Sequence, residues 1–243
     1  MSDLKLTLKP FGNKAILIEW PPVISESILK DILCFKHKLQ NHYANFYDIS
    51  TAYNSLTIYL KSAFLDFENE VEKLNTIYNL EIKSKEIENY IWHIPVCYDK
   101  DLAPDLDSFL KVKKLEQQQF IKLHSQNLYT VYFLGFLPGF PYLGGLPKEL
   151  HMARKSNPNL NIKKGSVGIG GQQTGVYTID SPGGWHIIGK TPILFFDISL
   201  EMPSFLKAGD KIKFYAVSKD VFLEITENVA EEKFTLKKEI SHV

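Results

Sequence analysis

Twelve of the 14 glycines fall between Gly135 and Gly189, a stretch of 55 residues that an even spread would give about three. Glycine reaches positive φ, lets backbone approach other atoms closely and weakens helices. The stretch therefore reads as short strands, turns and bulges. Two readings of it stand side by side. One is a tightly cornered β-barrel, whose corners need glycine in any case; the other is a surface where backbone meets a ligand.

The same region is biased in charge. Lys plus Arg and Asp plus Glu are 28 each over the whole chain, so the net charge is zero. From Tyr132 to Pro192, however, six basic residues face two acidic ones, a local +4 that leaves −4 elsewhere. A small anion or an acidic partner surface suits such a segment, whereas the neutral total argues against a sequence-blind nucleic-acid binder. Arg154 is the only arginine beside 27 lysines. An arginine that persists against that bias is a candidate for a task that needs its planar fork, such as holding a carboxylate. Lys163 and Lys164 read as a solvated face.

Before the glycine-rich region the pattern is mixed. Residues 4–9 and 15–20 read as strands, Ser25 as the cap of a helix with Ile28, Ile32, Phe35 and Leu39 on one face, and 47–53 and 55–61 as a hairpin around Asn54. Asp66 opens a second helix, with Phe67, Val71, Leu74 and Tyr78 as its expected core stripe. An α+β layer over residues 1–85 follows, with helices on one sheet face. Residues 83–89 read as a linker, and a second, mainly β domain is expected over 86–243. Within it strands are expected at 90–98, 128–134, 193–198 and 211–217, and a helix at 115–126. The last 25 or so residues give only a weak pattern. No basic-then-apolar leader and no apolar run long enough to cross a bilayer is visible. Cys34 and Cys97 cannot make a disulfide framework or a zinc site alone, and they fit buried thiols in a reducing cytoplasm.

Motif chemistry is sparse. Residues 184–191 (GWHIIGKT) satisfy the P-loop pattern, but a turn precedes them, their interior is bulky and strand-like, and Pro192 follows instead of a helix. A nucleotide cradle is not expected there. Ser166 lacks the nucleophile-elbow spacing, and no metal-ligand spacing exists among the histidines. His124 is the candidate general acid or base; a core or capping role is its other reading. Phe136, Phe140 and Tyr142 crowd a Pro-Gly turn as barrel core or pocket wall. Gln173, Thr174 and Tyr177 either orient a small polar ligand or satisfy turns.

Three ordered blocks, residues 135–146 (GFLPGFPYLGGL), 165–177 (GSVGIGGQQTGVY) and 181–192 (SPGGWHIIGKTP), resemble those of one family, that of the 5-oxoprolinase B subunit, also called KipI or allophanate hydrolase subunit 1. Residues 10–15, 93–98 and 208–210 resemble it more weakly. The family's arginine of the third block is Lys190 here, and Asn159 follows Pro158 where a second arginine is common. The resemblance implies a cyclophilin-like barrel in the second domain and a role as a subunit that is inactive alone. With the A and C subunits it would open 5-oxoproline to glutamate, using ATP held by the complex. It also implies, as alternatives, a KipI-like inhibitor of a sensor histidine kinase or a carboxyltransferase-type subunit related to urea carboxylase. The expected substrate- or partner-binding residues are Phe136, Gly139, Phe140, Tyr142, Arg154, Gln173, Thr174, Tyr177, Ser181, Gly183, Gly184 and Trp185. A small anionic substrate is expected, with no metal, nucleic acid or membrane.

Overall fold

Ile16 and Ile18 alternate with outward-facing residues along a strand, as do Leu56, Ile58 and Leu60, so each strand buries one face. These belong to a four-stranded antiparallel sheet of order β1-β2-β4-β3, from β1 (Thr7–Pro10), β2 (Ala15–Glu19), β3 (Phe46–Thr51) and β4 (Ser55–Leu60). The buried face is covered by helices α1 (Glu26–His42) and α2 (Phe67–Tyr78). Ser25 and Asp66 cap them, each side chain accepting amide hydrogens from the first turn. Ile28, Ile32, Phe35 and Leu39 of α1 are buried as the spacing requires. On α2 the buried line is Glu70, Leu74 and Ile77, rotated from the expected stripe, with Phe67 and Tyr78 half-buried at its edges. The cause is polar: Glu70 turns inward to accept the Tyr43 hydroxyl hydrogen at 2.6 Å.

The computed structural model describes residues 4–81 and 88–241. The chain divides into two compact units, Met1–Ile87 and Glu88–Val243. The expected boundary at 85/86 and most of the expected linker lie outside the described residues.

The second unit is a closed barrel of seven strands: β5 (Asn89–Cys97), β6 (Leu128–Leu134), β7 (Pro141–Gly144), β9 (Ser166–Gly170), β10 (Gln173–Val176), β12 (His186–Lys190) and β13 (Lys211–Val217). Their order is β12-β9-β10-β7-β6-β13-β5, and a Lys190–Cys97 pairing of β12 with β5 closes the ring. β5 and β13 run parallel from Ile91–Lys211 to Cys97–Val217; the other neighbours are antiparallel. β14 (Lys238–Ser241) covers the other half of the β5 edge, and β8 (Asn159–Ile162) and β11 (Ser181–Gly183) form a separate ribbon. Helices α3 (Leu106–Lys113), α4 (Gln117–Ser125) and α5 (Lys219–Ala230) complete the unit. The turn at 208–210 is fixed by the buried Asp210 carboxylate, which accepts from the Tyr90 amide at 2.9 Å, Trp92 Nε1 at 3.1 Å and the Lys207 amide at 3.1 Å.

Further expectations fail. Cys34, expected as a buried thiol, is exposed on α1, while Cys97 is buried. The chain at 193–198 pairs with no strand among the described residues. Ile193 and Phe195 alternate into the core, which imitates a strand pattern, but the Asp197 amide turns to the Pro203 carbonyl instead of a ladder partner. The C-terminal stretch, weakly patterned in sequence, holds α5 and β14; α3 is likewise an addition to the expected elements.

Many of the barrel glycines are slots for rings. A Cβ on Gly170 would lie 2.5 Å from Trp185 Cδ1, one on Gly183 2.2 Å from the Tyr177 hydroxyl, and one on Gly144 2.3 Å from Tyr132 Cε2. A Cβ on Gly175 would meet the Pro141 carbonyl oxygen at 2.7 Å and the Phe140 ring at 3.0 Å. That first obstacle is backbone and cannot swing away. Gly175→Ala is therefore expected to destabilise the barrel by about 1–3 kcal/mol, as overpacking does. Gly135→Ala, whose Cβ meets only the Phe133 ring at 3.6 Å, should stay within about 0.5 kcal/mol. Urea titration of both variants checks the contrast, and equal effects would refute the slot account.

Candidate functional site

The site is built around residues 152–155. Met152 exchanges two backbone hydrogen bonds with Gly171, at 3.0 and 2.6 Å, and the Lys155 amide donates to the Gly184 carbonyl at 2.7 Å. Side chains add to this frame. Lys155 Nζ lies 2.6 Å from Asp105 Oδ1, while Asp105 Oδ2 accepts the Ile187 amide at 2.7 Å. His186 Nε2 donates to the Ala153 carbonyl at 3.0 Å. Arg154 is thus carried on a short segment tied to its neighbours on either side of its own Cα. Its guanidinium stands 5.8 Å from the centre of the Trp185 ring, within cation–π range.

Arg154 overlooks a cleft of about 240 Å³, below the usual range of drug-sized sites and suited to a small molecule. Phe140 lies at the centre of its aromatic wall, 5.3 Å from Tyr177, 5.5 Å from Trp185 and 5.1 Å from Tyr142 between ring centres. Phe136 stands edge-on to Phe140 at 5.6 Å. It is a non-glycine residue at φ 69, a conformation that costs about 1–3 kcal/mol and persists only where the surroundings impose it. Here the turn is closed by Gly135 amide to Phe140 carbonyl and Phe140 amide to Leu137 carbonyl, both 3.0 Å.

Of the residues expected at the site, Phe136, Phe140, Tyr142, Arg154, Tyr177, Gly183, Gly184 and Trp185 line this cleft. Pro158 and Pro182 also line it; Pro182 stands between the expected Ser181 and Gly183, but neither proline is among the residues expected at the site. Gly139 lies instead against Phe195 and Phe196, and Ser181 donates its hydroxyl hydrogen to the Pro182 carbonyl. Gln173 and Thr174 are not in the cleft wall; Thr174 is inside the barrel. Lys163 pairs with Asp180 on an exposed surface at 2.8 Å, which agrees with a solvated role.

No carboxylate lines the cleft among the described residues, and Arg154 carries its formal charge. Burial pushes the Tyr177 hydroxyl up to about 12, against a lowering hydrogen bond from the Trp185 amide and the Arg154 charge. Burial also raises Tyr142, again opposed by Arg154. Both phenols are neutral at pH 7. The arrangement offers one fork-shaped cation, neutral hydroxyls and flat apolar faces, which together fit a small planar anion. Among the described residues no cluster could hold a metal ion.

His124 is not in this cleft. It is fully buried in the barrel, 5.0 Å from the Phe214 ring. Thr174 Oγ1 donates to the Gly168 carbonyl at 2.9 Å, so it accepts from His124 Nε2–H at 3.2 Å, and Nδ1 accepts from the Tyr98 hydroxyl at 2.8 Å. The geometry gives a neutral core histidine with both nitrogens used, and nothing ties it to reacting atoms. The P-loop look-alike is the strand β12 with its flanks: the Thr191 amide donates to Gly165, and Gly189 packs on Val96 and Cys97. Its amides do not form a phosphate cradle.

A closed barrel bearing this cleft defines the class of protein. Residues 6–206 match the family model of the carboxyltransferase domain, subdomains C and D. The chain is 36% identical over 209 residues to the 5-oxoprolinase B subunit of Haemophilus influenzae, covering 86% of this chain and 97% of that one. It is 42% identical over 174 residues to the 5-oxoprolinase B subunit of Bacillus subtilis, covering 71% of each. The chain belongs to the family of 5-oxoprolinase B subunits. Among solved structures, that of TTHA0988 superposes with a TM-score of 0.73 at 27% identity over 84% of this chain, which spans 40% of that longer chain. Among the described residues no helix is long and apolar enough to cross a membrane.

Burial holds the His124 pKa down from 6.5 to about 3. Unfolded His124 gains a proton below about pH 6.5 and folded His124 does not. Its contribution to stability is therefore complete above pH 6.5 and is lost as pH falls toward 3, at up to about 1.4 kcal/mol per pH unit. His124→Gln should lower stability at pH 7 yet show a shallower decline between about pH 6 and 4. Parallel denaturation curves for the two proteins across that range would refute this assignment.

Proposed function

We propose that this chain is the B subunit of an ATP-dependent 5-oxoprolinase. The observation that carries the reading is the correspondence with the Haemophilus influenzae protein over 97% of that protein's length. The A and C subunits are the partners in this reading, and the chain is inactive by itself. The complex opens the lactam of 5-oxoproline to glutamate, with ATP hydrolysis driving cleavage of an otherwise resistant amide. Residues 184–191 do not fit a nucleotide, so ATP binds elsewhere in the complex.

The cleft suits the substrate's chemistry. 5-Oxoproline is a flat five-membered ring with one carboxylate. Arg154 would hold the carboxylate through its fork, the Phe140–Trp185 wall would lie against the ring, and the Tyr142 and Tyr177 side chains would border its polar edge. Excluding water strengthens each of these contacts. The family model's name supports a second reading, a carboxyltransferase-type subunit, which would need a biotin-bearing partner.

Arg154→Lys keeps the charge and loses the fork. In the assembled complex it should lower kcat/KM for 5-oxoproline about tenfold to a hundredfold, equivalent to about 1.5–3 kcal/mol for a charge-assisted pair. Arg154→Ala should lose at least as much, with stability moving by no more than about 0.5 kcal/mol because the residue is exposed. Turnover assays with ATP check this, and unchanged activity in both variants retires Arg154 from the site.

A further inference from the structure

Asp105 opens helix α3, a place where an aspartate ordinarily spends its side chain on the first-turn amides. Asp66 and Ser218 do so at α2 and α5. Asp105 does not: no first-turn amide donates to its carboxylate. Both oxygens serve other segments. Oδ1 lies 2.6 Å from Lys155 Nζ, and Oδ2 accepts the Ile187 amide at 2.7 Å. The Asp105 amide in turn donates to the Ile187 carbonyl at 3.1 Å. The helix thus forgoes a cap, and the group so freed ties two stretches of chain together.

Those stretches carry Arg154 and Trp185. Residues 153–155 and 184–187 already touch directly, through the Lys155 amide on the Gly184 carbonyl at 2.7 Å and His186 on the Ala153 carbonyl at 3.0 Å. Asp105 supplies a third link, from a separate element. It holds the residue after Arg154 by charge and the second residue after Trp185 by a hydrogen bond. The contact of the guanidinium with the Trp185 ring, at 5.8 Å, is thereby flanked by three links.

Exposure separates this ion pair from others in the same unit. The Lys155 and Asp105 side chains are 23% and 17% exposed, whereas Lys163–Asp180 and Lys219–Asp101 stand in solvent. Exposed pairs hold little; a shielded pair whose carboxylate also accepts an amide hydrogen keeps its geometry. We infer that Asp105 is a positioning residue, which sets Arg154 against Trp185 and so presents the fork preformed to a carboxylate ligand. That the ligand is 5-oxoproline rests on the subunit reading above; the positioning does not. A contact made equally in the ground and transition states moves KM and leaves kcat alone.

The single arginine gives the folded chain one guanidinium Nε–H resonance, and its heteronuclear NOE reads how well Arg154 is ordered. Asp105→Asn keeps an acceptor for the Ile187 amide and removes the charge facing Lys155. The NOE should fall toward that of a free side chain, with the fold retained. Asp105→Asn/Lys155→Met, which leaves no unpaired lysine, should do the same. Asp101→Asn, which cuts an exposed pair in the same unit, should leave the NOE unchanged. In the assembled complex Asp105→Asn should raise KM for 5-oxoproline about fivefold, the order of one newly mobile side chain, at unchanged kcat. Added to Arg154→Ala, it should raise KM no further. An unaltered resonance in both Asp105 variants, or an equal fall in Asp101→Asn, overturns the positioning role. So does a rise in KM that persists undiminished in the Arg154→Ala background. A resonance that responds as expected, beside an unsubstituted complex that leaves 5-oxoproline uncleaved, upholds the positioning role and overturns the subunit reading.

Discussion

The barrel depends on rings lying where side chains are missing. Trp185 rests on Gly170, Tyr177 on Gly183 and Phe140 against Gly175, each at a distance that leaves no room for a methyl group. These contacts bring the backbone of one strand as close to an aromatic face as van der Waals packing allows. They also set the cleft, because the three rings so fixed are three of its walls. The glycine enrichment, which in the sequence reads as either barrel corners or ligand contact, proves to be chiefly a third thing: close seating of rings whose outer faces are then free to line a site.

Arg154 shows how the same economy extends to charge. It is exposed and among the described residues pairs with no carboxylate, yet it is not left to wander. The backbone bridges at Met152 and Lys155, the Lys155–Asp105 pair and the His186 contact to Ala153 hold its Cα in a fixed relation to Trp185. A long side chain loses up to about 2 kcal/mol of rotamer freedom when it is ordered, so a restrained backbone and a ring to lie against reduce what a ligand must still supply.

Much of this is legible in the residues alone, and the failures have common causes. Strands with one apolar face and capped helices announce themselves through periodicity. The α2 stripe departs from its pattern because Glu70 is buried by one hydrogen bond that spacing does not reveal. Residues 193–198 imitate a strand because two apolar residues alternate there, and an unpaired extended segment can also face a core. In the 165–177 block the residues split by parity and position, Thr174 into the barrel and Tyr177 into the cleft, since alternate side chains leave opposite faces of a strand. Glycine blocks identify where rings and backbone meet without saying which side of the wall a neighbour takes. Pro158 and Pro182 reach the cleft through a ribbon whose pairing, β8 with β11, carries little hydrophobic pattern.

The parallel pairing of β5 with β13 has a temporal consequence. Cys97 ends the first strand of the barrel, and its in-register neighbour Val217 lies more than a hundred residues later. The other edge of β5 is completed by β14 and by the single Lys190–Cys97 pair, both also from far along the chain. During synthesis, then, β5 emerges long before any neighbour that could satisfy its backbone. The glycine-rich meander must be made while the ring is still open, and closure waits for the last strands. Such long-range contacts place the chain among slow folders, with an apolar strand edge waiting for its neighbours throughout translation.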